Sequence, residues 1–235
     1  MSGKLYLIPT VIAENAQDSI PEQVRAVLTD CEYFLVENVR TARRYISSLK
    51  LGVTIEDLHF EVLDKKTSDA EVNRLMQPVF KGLHVGILSE SGCPGIADPG
   101  SKAVGWAHAH SIEVVPLVGP SSLLLALMAS GFNGQKFAFH GYLPVDKKEL
   151  AKAIRNLEAE SSKINQTQVF IETPYRNNQL LNTILSSTHP ETKLCICRDV
   201  TGSNALVKTK TIREWKNQLP DLHKVPTVFV LYAGK

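Results

Sequence analysis

Two loops of this 235-residue chain combine residue types suited to holding a small ligand. The longer is Ser89-Glu90-Ser91-Gly92-Cys93-Pro94-Gly95-Ile96-Ala97-Asp98-Pro99-Gly100, directly after the apolar run Val85-Gly86-Ile87-Leu88. Its glycines and prolines fix unusual backbone angles and leave main-chain N–H and C=O groups open. It also sits where open α/β sheets bind ligands, at the carboxyl end of a buried strand. The second loop, Leu117-Val118-Gly119-Pro120-Ser121-Ser122, opens a helix whose N-terminus suits a carboxylate. Either loop alone is equally an ordinary structural turn, and the pair is the more specific signal.

Other chemistries lack their residues. No G-x-x-x-x-G-K turn exists, and the first apolar run leads into Pro9-Thr10-Val11-Ile12 instead of G-x-G-x-x-G, which argues against a Walker ATPase or a Rossmann dehydrogenase. H-E-x-x-H, G-x-S-x-G and dense His/Asp/Glu clusters are missing too, so metallohydrolase and serine hydrolase readings have nothing to stand on. Cys31, Cys93, Cys195 and Cys197 form neither a disulfide framework nor a zinc spacing. In a strand over 193–198, Cys195 and Cys197 share one face and belong to the core.

The elements that must position these loops alternate. Strands are expected at 5–8, 33–36, 58–62, 85–88 and 112–117, and helices start near Pro21, at Asn38, at Ser68 and at 102. Continuous apolar strands between helices predict a parallel sheet covered on both faces. Past the boundary at 118–121, helices are expected at 121–130, 147–160, 177–187 and 212–218, with strands at 136–140, 168–171, 193–198, 205–209 and 227–231. The close spacing around 201–204 predicts an antiparallel pair there. The expected fold class is therefore α/β in two domains: 1–118 with a mostly parallel sheet and 119–235 with a mixed one.

Composition fits an ordinary globular protein, with 43% hydrophobic and 21% charged residues. No apolar run approaches the ~20 residues of a membrane span, and the start of the chain leaves no room for a signal peptide, so a cytoplasmic protein is expected. Residues 1–117 hold 11 Lys and Arg against 15 Asp and Glu, net −4, and residues 118–235 hold 15 against 9, net +6. The basic second half is compatible with a polyanion. His84 and His140 are expected to pack at strand ends.

Further segments fall in a telling order: Gly3 to Thr10, Glu37-Asn38-Val39-Arg40-Thr41, the 89–100 loop, Val118 to Ser122, Phe139-His140-Gly141-Tyr142-Leu143-Pro144, Glu172-Thr173-Pro174-Tyr175-Arg176 and Arg198-Asp199-Val200-Thr201. Over nearly the whole chain this order resembles the tetrapyrrole methylase superfamily of S-adenosylmethionine (SAM) dependent methyltransferases, most closely its 16S ribosomal RNA cytidine 2′-O-methyltransferase branch. The resemblance implies a SAM cleft between the two domains. Pro9, Ser89, Gly92, Cys93, Pro94 and Ile96 would line it from the first half, and Ser121, Ser122, Tyr175, Pro226 and Thr227 from the second.

It also implies Glu37, Arg40, Glu172, Arg176 and Arg198 as the residues that deprotonate a ribose hydroxyl or stabilise its alkoxide. Arg43, Arg44, Lys147 and Lys148 are candidates for phosphate contacts. For Glu37 with Arg40 the plain alternative is a helix-start acid with a surface cation, and for Arg198 with Asp199 a strand-end ion pair. No metal is implied. The implied partners are RNA or the small ribosomal subunit, no membrane, and a second copy of the chain in a homodimer.

Several positions depart from that branch: Val11-Ile12-Ala13-Glu14-Asn15 replaces its Pro-Ile-Gly-Asn-Leu, Asn38 replaces an Asp, Val39 a Thr, Glu90 an Asp, and Gly202 a Lys. The last strand, Val225 to Val230, looks more like the small-molecule methylases. A tetrapyrrole-type methylase and a SAM-binding protein without transfer activity therefore stay open as alternatives.

Overall fold

The computed structural model describes residues 2–234. The chain divides into two compact units, Met1–Ser121 and Ser122–Lys235. The first contains β1 (Leu5–Ile8), α1 (Glu22–Asp30), β2 (Tyr33–Val36), α2 (Val39–Ser48), β3 (His59–Val62), α3 (Asp69–Met76), β4 (Val85–Leu88), α4 (Ser101–Ala109) and β5 (Val114–Pro116). Its sheet has the order β3-β2-β4-β1-β5 with every pairing parallel.

Strand alternation splits the core into two layers. Ile8, Phe34, Val36 and Leu88 pack with Val24 and Leu28 of α1 and with Tyr45 and Ile46 of α2. Leu5, Leu35, Val85 and Ile87 face the other way, onto Val72, Leu75 and Met76 of α3 and Ala103 and Ala107 of α4. Crossovers from β1 and β2 thus run over one face and those from β3 and β4 over the other, as uniform right-handed connections require. The direction of winding reverses around β4, and its two neighbours are β1 and β2. That reversal opens a crevice at the carboxyl ends of these strands.

The second unit contains α5 (Ser122–Ser130), β6 (Phe137–Tyr142), α6 (Lys147–Ile164), β7 (Thr167–Ile171), α7 (Asn177–Ser187), β8 (Lys193–Arg198), β9 (Leu206–Thr211), α8 (Ile212–Asn217) and β10 (Thr227–Tyr232). The sheet order is β6-β7-β10-β8-β9; β6 and β7 are parallel and the other pairs antiparallel. Phe170, Leu194, Ile196, Phe229 and Leu231 pack under α6, α7 and α8. Val169, Cys195, Cys197, Val228 and Val230 pack with Ala126 of α5, so both thiols are core groups as their spacing indicates.

Side-chain caps set the starts of α2, α3, α6 and α8. Asn38 Oδ1 accepts from the N–H groups of Arg40 and Thr41, and Ser68 forms a reciprocal capping box with Glu71. Thr211 and Glu214 form a second such box, which the sequence reading passed over. Several ends differ from expectation. α3 stops at Met76 and tightens into a 3-10 turn over Gln77–Lys81, where Pro78 has no N–H to donate. β5 starts late because the N–H of Ile112 closes α4 on Ala107 O. α6 runs on to Ile164 and ends at Asn165, whose φ of 55° is left-handed. β6 reaches Tyr142 across a register shift after Phe139, so His140 lies within the strand, its Nε2 2.6 Å from Gln168 Oε1. His84 precedes β4, and its Nδ1 accepts from the N–H of Lys4.

No helix among the described residues is long and apolar enough to cross a membrane.

Candidate functional site

In the first unit, the carboxyl ends of β1, β2, β4 and β5 deliver Pro9, Glu37, Ser89 and the 117–121 loop to one edge of the sheet. The loops are fastened through main-chain carbonyls that accept from N–H, hydroxyl and thiol groups. Thr10 N–H donates to Gly92 O at 3.0 Å, and Ser89 Oγ donates to the same carbonyl at 2.7 Å. The Cys93 thiol reaches Pro120 O at 3.4 Å. Tyr45 donates its hydroxyl to Pro9 O at 2.9 Å from the buried face of α2.

Two glycines are required here. Gly92 has φ +76°, and a Cβ there would lie 3.0 Å from Ile12 Cγ2 and 3.2 Å from Pro120 O. A Cβ on Gly119 would lie 2.2 Å from Pro9 Cβ, so only glycine lets these loops approach. Ala13, by contrast, is not among the residues with a left-handed backbone.

Asp98 holds the 89–100 loop from within. Its Oδ1 accepts from Gly95 N–H at 2.7 Å and Gly100 N–H at 2.8 Å. Its Oδ2 is buried and has no hydrogen-bond partner among the described residues. Glu37 and Asp98 line one small hollow with Leu35, Ile87 and Gly100. Burial, then the charges of Asp98 and Glu90, push the Glu37 carboxyl above its ordinary value. Burial likewise raises Asp98 against the pull of its two N–H donors, and raises the Cys93 thiol. Around them Pro94 is buried and Ile96 is 51% exposed. Arg40 is exposed on the first turn of α2, and Arg43 lies 5.3 Å from the centre of the Phe60 ring.

In the second unit a single sheet edge collects most of the expected residues. β7 and β8 end there and β10 begins there, with Thr227 opposite Arg198. Glu172, whose side chain is 2% exposed, pairs with Arg176 at 3.2 Å and accepts from Thr173 N–H at 2.7 Å. Glu172 Oε2, the atom that faces Arg176, is buried without a hydrogen-bond partner among the described residues. Arg198 is not paired with Asp199. It donates to Asp221 O at 3.0 Å and Asn204 O at 3.3 Å, while Asp199 accepts from Asn204 N–H. Arg198 Nε and Asn177 Oδ1 are buried there without hydrogen-bond partners among the described residues. Tyr175 and Pro226 are exposed, Thr227 is buried, and Ser122 begins α5. Lys147 and Lys148 are exposed on the first turn of α6, after its cap Asp146.

Sequence reasoning passed over Thr10, Tyr45 and Asp98 as site-building residues. Asp98 was signalled by an Asp-Pro-Gly that can fold back on its own main chain, and Tyr45 by a phenol on a helix face that must find an acceptor. No group of three or more His, Cys, Asp or Glu among the described residues is arranged to hold a metal ion.

No family model matches the chain. Among solved structures, the methyltransferase CobJ superposes with a TM-score of 0.64 at 18% identity, covering 98% of this chain and 94% of that one. A uroporphyrin-III C-methyl transferase from Thermus thermophilus, complexed with S-adenyl homocysteine, gives 0.57 at 16% identity over 98% and 97%. The fold is therefore the one these tetrapyrrole methyltransferases share.

The curated relatives narrow it. A ribosomal RNA small subunit methyltransferase I from Vibrio cholerae serotype O1 is 30% identical over 210 residues, 89% of this chain and 69% of the relative. One from Buchnera aphidicola subsp. Acyrthosiphon pisum is 26% identical over 99% of this chain and 80% of its own length. The chain belongs to the ribosomal RNA small subunit methyltransferase I family.

Proposed function

We propose that the protein transfers a methyl group from SAM to a ribose 2′-oxygen of small-subunit ribosomal RNA. The relationship to the ribosomal RNA small subunit methyltransferases supports the acceptor, and the solved relative carrying S-adenyl homocysteine on the same fold supports the cofactor. The observation that carries the site is the joining of the Pro9, 89–100 and 117–121 loops at the winding reversal of the first sheet.

The residues present fit SAM. Asp98 Oδ2 is a buried acceptor without a partner, Ile96 offers exposed apolar surface, and Gly92 and Gly119 keep side chains out of the loop junction. SAM supplies a methyl group already activated on a positively charged sulfur. The chain has only to position it, exclude water and manage one proton. Ser89, Gly92, Cys93, Pro94 and Ile96 are assigned to hold the cofactor, with Pro9 setting the loop.

Glu37, which shares a small hollow with Asp98 at the carboxyl end of β2, is assigned to take the hydroxyl proton. Its raised proton affinity suits that role. Arg40 stabilises the oxygen as negative charge develops. Arg198, with a buried N–H awaiting an acceptor, and Arg176 are assigned to anionic groups of the acceptor. We further propose a cytoplasmic homodimer, on the resemblance alone; sedimentation near twice 25.9 kDa would support the dimer.

Two measurements test the reading. Calorimetry should detect SAM binding to the purified chain. Total RNA from cells lacking the gene should lose one 2′-O-methylated nucleoside, and unchanged nucleosides would rule out the RNA acceptor.

A further inference from the structure

Tyr175 is 70% exposed, yet its surroundings are held by a hydrogen-bond network. Two loops of the second unit, 172–178 and 221–227, are latched together beneath it. Lys224 N–H donates to Pro174 O at 3.0 Å, Asn177 Nδ2 to Val225 O at 2.7 Å, and Asn178 Nδ2 to Asp221 Oδ1 at 2.8 Å. Leu222 N–H returns to Asn178 Oδ1 at 2.8 Å, and Asp221 Oδ1 also accepts from His223 N–H. On this base His223 meets the Tyr175 ring edge-on at 6.1 Å, and Lys224 Nζ lies 5.8 Å from the ring centre. Lys224 holds a left-handed backbone, φ 60°, an unfavourable conformation for a residue with a side chain.

An exposed tyrosine standing singly needs no explanation. One with an ammonium over one face of its ring and a second aromatic ring at its edge has the two parts that single-stranded RNA binding uses: an exposed ring on which a base can stack and a cation for the phosphate next to it.

We propose that Tyr175, His223 and Lys224 form a platform on which an unpaired base of the RNA acceptor stacks on Tyr175 while the adjoining phosphate meets Lys224. This rests on the RNA reading above and moves Tyr175 from the cofactor, to which family resemblance assigns it, to the acceptor. Residues 118–235 carry net +6, which favours such a strand.

The test titrates a fluorescent single-stranded oligoribonucleotide onto the full chain and its Tyr175→Ala, Tyr175→Phe and Lys224→Gln variants, with SAM calorimetry and thermal unfolding in parallel. Tyr175→Ala should weaken RNA binding about tenfold, Tyr175→Phe should retain it, and SAM affinity and melting should not move. Lys224→Gln should weaken binding and lower the salt slope by about one. RNA affinity unchanged in Tyr175→Ala, or SAM affinity lost with it, overturns the platform while leaving the RNA reading in place. If the unsubstituted chain binds no RNA, the RNA reading falls first and the platform with it.

Discussion

The two units build their candidate edges from different materials. In the first, short donors close on main-chain carbonyls: Thr10 N–H and Ser89 Oγ on Gly92 O, and Cys93 Sγ on Pro120 O. In the second, long side chains carry the load: Glu172 holds Arg176, and Arg198 clamps two carbonyls. A parallel sheet whose winding reverses offers a crevice wherever the chain leaves its strands, and small, kinked loops suffice to line it. The second unit's edge mixes strand ends and starts, so its character depends on which side chains stand there. A site whose acceptors are main-chain carbonyls tolerates changes of side chain that keep a donor in place. It does not tolerate changes of backbone.

The largest expected effect breaks the backbone side of that contrast. Gly119→Val would place carbon atoms inside Pro9 and should destabilise the chain by about 3 kcal/mol in denaturant unfolding. A stability unchanged from the parent would mean the loops do not approach as described.

Glu37→Gln should come next, lowering the transfer rate about a hundredfold with SAM affinity nearly kept. The parent's rate should rise with pH through a range above the ordinary 4.5, and the variant's profile should lose that limb. Stability should move the other way. Because the folded chain binds the Glu37 proton more tightly than the unfolded chain, the group's favourable contribution is complete below 4.5 and is lost as pH rises through the raised value. Glu37→Gln should therefore melt slightly higher than the parent at neutral pH and no higher in acid.

Arg176→Ala sharpens the side-chain half, since it strands a carboxylate that is 2% exposed. A loss of about 2 kcal/mol is expected, below that of a fully buried pair because Arg176 is itself 25% exposed. Arg176→Ala with Glu172→Gln should recover part of it. The smallest effect belongs to Cys93→Ser, within about 0.5 kcal/mol and with SAM binding kept, because serine preserves volume and a donor toward Pro120 O. A marked loss of SAM affinity in that variant would show that the thiol itself matters.

Most of the fold was legible in the sequence because Leu5–Ile8, Tyr33–Val36, Val85–Leu88 and Lys193–Arg198 are short apolar runs between caps and turns, each set by local sequence. Element ends were less legible where a partner decides them. β9 extends to Thr211 because Lys193 pairs with it across the ladder, and β6 extends through a register shift that only β7 imposes. The sheet order, with β4 between β2 and β1, follows from long-range packing that periodicity does not carry. At the site, the loops could be singled out from Gly and Pro alone. The partner of Arg198 could not: its neighbour Asp199 is the obvious choice in sequence, whereas the fold brings up Asp221 O and Asn204 O.

The central claim is that the two edges serve methyl transfer to ribosomal RNA. The most direct test offers SAM labelled in its methyl group to the purified chain with small ribosomal subunits, free small-subunit RNA and a tetrapyrrole precursor in parallel reactions. The account predicts label in a 2′-O-methylated nucleoside from the subunits or the RNA and none in the tetrapyrrole. Label confined to the tetrapyrrole, or none anywhere despite SAM binding, would contradict it.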